Sequence, residues 1–92
     1  MTDPVVTQFR EQITNLDRSL VELTNKRLKL VEQLRRYKEQ HGLPFLDPAR
    51  EEWMLVYLTR ANRGPLSAEG LAELYAGILD LTKRETARTA EA

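Results

Sequence analysis

From Phe9 onward, apolar residues return at intervals of four and three: Phe9, Ile13, Leu16, Leu20, Leu23, then Arg27, then Leu30, Leu34 and Tyr37. Such spacing marks one face of a helix and predicts a first helix over about 4–41. At a rise of about 1.5 Å per residue, that helix is more than about 50 Å long. Val21, Leu28 and Val31 widen the stripe beyond a strict coiled-coil seam, which suits a packed bundle. The helix ends where Gly42 supplies the left-handed residue past the last turn and Pro44 blocks continuation. Asp47-Pro48 is a strong helix start, with the aspartate as N-cap and the proline at the first helical position. The second helix, about 48–62, carries Trp53, Met54, Leu55, Tyr57, Leu58 and Ala61, and stops before Arg63-Gly64-Pro65. Ser67 caps a third helix, about 67–87, with Leu71, Leu74, Tyr75, Ile78 and Leu81 as its apolar stripe. The small, polar tail from Ala87 is expected to fray.

These elements predict an all-α fold with three helices in one domain over 1–92. Two short helices cannot cover the seam of one that long, so a second copy of the long helix is the expected cover. The chain length of 92 residues points the same way, because so small a core seldom suffices alone. Fourteen basic residues balance fourteen acidic ones. The resulting zero net charge argues against nucleic-acid or membrane-surface binding, which draws on a field of one sign. No apolar run approaches the roughly 18 residues of a membrane span. The first residues lack the basic and apolar regions of a secretory leader, so a cytoplasmic location is expected. The absence of cysteine excludes disulfides, thiolate metal sites and a cysteine nucleophile.

Arg27 interrupts the seam where a leucine belongs. A desolvated guanidinium without a partner costs several kcal/mol, so a partner is expected. That partner is either an anionic ligand or a carboxylate, such as Glu22 or Glu32 of a neighbouring helix. Lys38, eleven residues on, projects from nearly the same face, and both long side chains could converge on one anion. The plainer alternative is a lysine snorkelling at a helix end. Arg10 lies seventeen residues before Arg27, about 25 Å away and about 100° around the helix. It reaches the same place only from an antiparallel second copy; otherwise it is an exposed arginine. Glu51 heads the stripe of Met54, Leu55 and Leu58 and so turns a carboxylate inward, with Arg50 beside it as a further cation. Glu51 could equally serve only the helix dipole. Thr82 and Thr86 place hydroxyls on the inner side of the third helix, where bonding back to their own helix is the alternative. His41 reads as a cap, not a base or ligand. No nucleophile–base pair, metal-ligand cluster or glycine-rich phosphate loop is present. Cations and one carboxylate converging inside a helical bundle suit binding of a small polyanion and stabilisation of its shifting charge.

In this order and spacing, Phe9-Arg10-Glu11, Leu16-Asp17, Asn25-Lys26-Arg27, Lys38 and Asp47-Pro48-Ala49-Arg50-Glu51 resemble the AroQ-class chorismate mutases. The likeness covers about 9–86, and the 42–48 stretch with Gly64-Pro65 is similar to mutase domains fused to aromatic-pathway synthases, although a standalone form is expected here. The resemblance implies an intertwined homodimer with shared sites, no cofactor and no metal, and a dicarboxylate substrate rearranged from chorismate to prephenate. It implies that Arg27 holds a substrate carboxylate, helped by Arg10 of the other protomer, while Lys38 donates to the ether oxygen. Asp47 and Arg50 would line the ring side, and Glu51 would hold the ring hydroxyl. Thr82 falls at the family's small hydroxyl position. Thr86 falls where a Gln or Glu is usual, and is too short to copy an extended amide unless a water bridges. That departure predicts weaker activity or a shifted substrate, for which a 4-amino-4-deoxychorismate mutase is the enzymatic alternative. The other alternative is a non-catalytic dimer completed by a partner synthase.

Overall fold

The computed structural model describes residues 3–91 and contains three helices, α1 (Pro4–Gln40), α2 (Pro48–Ala61) and α3 (Ala68–Glu91). Each start has a side-chain cap. Asp3 accepts from the Val5 and Val6 amides at 2.8 and 3.3 Å, with Pro4 next in line. Asp47 accepts from the Arg50 amide at 3.0 Å, and the Ser67 hydroxyl from the Gly70 amide at 2.9 Å. These bonds satisfy amides that the helix itself leaves unpaired.

The end of α1 is a full Schellman turn. Gly42 has a φ of +65°, the Leu43 amide donates to the Lys38 carbonyl at 2.8 Å, and the Gly42 amide donates to that of Glu39 at 3.4 Å. His41 closes the same turn, its Nδ1 donating to the Tyr37 carbonyl at 2.8 Å and its ring stacked on Tyr37 at 4.0 Å. The reversal carries the chain back to Phe45 and into α2.

α3 packs against both other helices. Its inward row is Leu71, Tyr75, Thr82 and Thr86, all buried. Leu74, expected on that row, is instead 54% exposed, because the helix is turned so that Tyr75 faces inward. The tail also departs from expectation: α3 continues past Ala87 to Glu91. Ala87, Arg88 and Ala90 are good helix formers. The Arg88–Glu85 pair at 3.3 Å and the Thr89 hydroxyl donating to the Glu85 carbonyl at 3.0 Å lie on that last stretch.

The seam of α1 has no cover among the described residues. From Phe9 to Leu34 its apolar side chains are between 48% and 65% exposed. Contact with α3 runs along the flank instead, through half-buried Arg27, Leu28 and Val31. Among the described residues only Leu71 and Tyr75 are buried apolar side chains. The radius of gyration is 17.2 Å, against about 12 Å for a compact chain of this length. The molecule extends 60 Å along α1. No described helix is long and apolar enough to cross a membrane.

Candidate active site

A cavity of about 330 Å³ opens where all three helices and the α1–α2 turn meet. Its polar wall is Arg27, Lys38, Asp47, Arg50, Glu51, Thr82 and Lys83. Val31, Leu34, Met54, Tyr75 and Leu79 supply apolar surface suited to a ring. Four cations against two carboxylates leave the lining with a formal charge of +2, read from its residues. That balance suits a dianion.

Arg27 reaches this place because its position on α1 faces α3, while the leucines on either side of it in the repeat face outward. Its Nη1 donates to Thr82 Oγ1 in a short hydrogen bond. The Thr82 hydroxyl spends its own proton on the Ile78 carbonyl at 2.6 Å, so its oxygen is free to accept from Arg27. Thr82 therefore does both things its position allows, bonding back to its helix and facing the site. Among the described residues, no ion pair involves Arg27. Glu32, one carboxylate considered for it, is taken by Arg35 and Arg36 of its own helix, the latter at 3.2 Å. A guanidinium has five N–H donors, so Arg27 retains several for a ligand.

Lys38 Nζ donates to the Phe45 carbonyl at 3.3 Å, a long bond that tethers the side chain at the cavity wall. The Schellman turn makes this possible by folding Phe45 back over the helix end. Asp47 and Arg50 share the first turn of α2, and the Arg50 guanidinium lies 5.0 Å above the Trp53 ring, a cation–π contact that steadies it. Glu51 Oε1 pairs with Lys83 Nζ at 3.3 Å, joining α2 to α3.

Six of the eight expected site residues thus share one cavity: Arg27, Lys38, Asp47, Arg50, Glu51 and Thr82. Arg10 does not; it lines a separate surface hollow with Thr7, Glu11, Thr14 and Asn15. Thr86 is buried but stands behind the site, in an adjoining cavity of about 270 Å³ shared with Arg35, Phe45, Leu46 and Lys83. Sequence reasoning misses Lys83. A lysine one residue past Thr82 resembles any solvated helix residue, and only the distance to Glu51 across the bundle distinguishes it.

The sequence model described as chorismate mutase type II matches residues 9–87. The chain belongs to the type II chorismate mutase family. The match spans every polar residue of the cavity wall. Two solved chorismate mutase structures from Thermus thermophilus are similar over most of the chain. Form II is 32% identical with a TM-score of 0.85, covering 90% of this chain and 94% of that one. Form I is 34% identical with a TM-score of 0.81, covering 84% and 96%. A T-protein of Haemophilus influenzae is 44% identical over 62 residues, 66% of this chain. A bifunctional chorismate mutase/prephenate dehydratase of Pseudomonas aeruginosa is 33% identical over 76 residues, 77% of this chain. The chain spans only 16% and 21% of the lengths of these two relatives. The helical chorismate mutase fold is therefore present here as three helices that match only a small part of these longer proteins.

Proposed function

We propose that this chain catalyses the Claisen rearrangement of chorismate to prephenate in the cytoplasm, as a step of aromatic amino-acid biosynthesis. The observation that carries the reading is the convergence of Arg27 and Lys38 on one cavity with Arg50 and Glu51. In the reaction an ether C–O bond breaks as a C–C bond forms within the same molecule, so no proton transfer or covalent intermediate is needed. Catalysis consists of holding the compact conformer and stabilising negative charge that grows on the ether oxygen. Arg27 takes a substrate carboxylate with the N–H groups that Thr82 leaves free. Lys38 exchanges its long bond to Phe45 for the ether oxygen, and Glu51 accepts from the ring hydroxyl. Asp47 and Arg50 line the ring side.

The active species is a homodimer. The uncovered α1 seam supports this, since an antiparallel second α1 would bury it and bring its Arg10 toward the cavity. Purified protein offered chorismate, with loss of ultraviolet absorbance followed, tests the reading. Turnover to prephenate is expected, and Arg27→Ala or Lys38→Ala should lower kcat/KM by about 10²–10³-fold. Absence of turnover by the unaltered chain would refute it and favour a dimer that depends on a partner enzyme.

A further inference from the structure

Lys83 is the one charged residue of the cavity wall to which no part in the reaction has yet been given. Its ammonium does not stand free over the cavity: it lies 3.3 Å from Glu51 Oε1, and both residues line the same space. We infer that Lys83 is a specificity-determining residue, which by occupying Glu51 favours a substrate bearing a neutral hydroxyl over an analogue bearing an ammonium there. The inference rests on the proposed activity, and specifically on Glu51 facing the ring substituent.

The physical case is one of charge. A carboxylate already paired with an ammonium keeps lone pairs for further donors, and a hydroxyl can use them without displacing anything. A second ammonium at the same carboxylate must either expel Lys83 or settle beside it. Two ammonium groups on one carboxylate stand only about 5 Å apart, where like charges repel. The other charged groups on the wall do not reverse this. Asp47 caps α2 through its Oδ1, while Arg27 and Arg50 add positive charge that also disfavours a cationic ring substituent. Lys83 thus acts as a repulsive element against the wrong ligand and is not a catalytic group. Its side chain is 49% exposed and that of Glu51 30%, so solvent moderates the repulsion and the effect should be about tenfold, not thousands.

The test compares kcat/KM for chorismate and for 4-amino-4-deoxychorismate in the unaltered protein, Lys83→Gln and Lys83→Arg. The unaltered chain should prefer chorismate. Lys83→Gln should shift the ratio toward the amino analogue by about tenfold, and Lys83→Arg should restore it. A merely structural lysine would move both substrates equally, so an unchanged ratio in folded Lys83→Gln protein overturns the inference. If the unaltered protein turns over neither compound, the proposed activity fails. The ratio of dissociation constants for the two compounds, read by calorimetry across the same variants, then decides the role of Lys83 without requiring chemistry.

Discussion

Two threonines one turn apart on α3, equally buried, have different neighbours. Thr82 holds Arg27 and borders the cavity, whereas Thr86 lies behind it. Thr82→Val keeps the shape and removes the acceptor that aims the guanidinium. It should lower kcat/KM about tenfold, the scale of one hydrogen bond to a charged group. Thr86→Val should leave kcat/KM within about twofold, because its hydroxyl does not border the cavity. Steady-state kinetics of the pair separates the two roles; a large loss in Thr86→Val would restore that residue to the site. At this scale the sequence is most informative where a residue breaks a pattern. Arg27 stands in a leucine's place and Glu51 at the head of an apolar stripe, and burial of charge is improbable enough to be noticed. Lys83 breaks nothing, so its pairing becomes visible only with α2 and α3 in contact. Thr86 shows the converse, since an inward position on a helix does not say which of two neighbouring cavities it faces.

Among the elements, the turn at Gly42 matters beyond ending α1. The bonds from the Leu43 and Gly42 amides fold Phe45 back, and the Phe45 carbonyl then holds Lys38. Nothing lies within 4 Å of where a Cβ would be at Gly42, so an alanine there meets no clash. The cost is purely one of backbone conformation, about 1–2 kcal/mol for a side chain at positive φ. Gly42→Ala should lose that much stability in chemical denaturation, with a rise in KM if Lys38 loses its tether. A second expectation concerns acid. The hydrogen bond from Arg35, with the charges of Arg35 and Arg36, holds the Glu32 carboxyl below its ordinary value of 4.5. A carboxylate whose value is lowered by folding stabilises the folded state above its unfolded value, and this contribution disappears as pH falls through the folded one. Stability should therefore decline on acidification below about 4.5, and Glu32→Gln should flatten that decline in urea titrations across the acid range. Capping residues make the helix starts legible because Asp47 and Ser67 act locally. The end of α3 is less legible, because polar composition alone does not outweigh helix propensity and the Arg88–Glu85 ion pair.

At the scale of the whole molecule, the described residues include only two buried apolar side chains and an uncovered seam, which supports the proposed dimer as the stable species. Light scattering at micromolar concentration should report a dimer. Leu20→Glu, placing a charge mid-seam, should yield monomer with reduced helicity; a fully folded monomer in either case would sink the shared-site arrangement. The length of α1 already points to a second copy, since no packing of α2 and α3 spans 60 Å. Arg27 has one more consequence at this scale. An apolar seam repeating every seven residues allows two antiparallel helices to slide by a heptad, about 10 Å, and still match leucine to leucine. Arg27 interrupts that equivalence, because its side chain turns to Thr82 on α3 and leaves the exposed seam one apolar side chain short at that position. In the proposed dimer, the pairing that sets the two gaps opposite one another strands no leucine. A slipped pairing faces each gap with a leucine and buries less apolar surface, so the residue proposed to grip the substrate also makes the registers unequal.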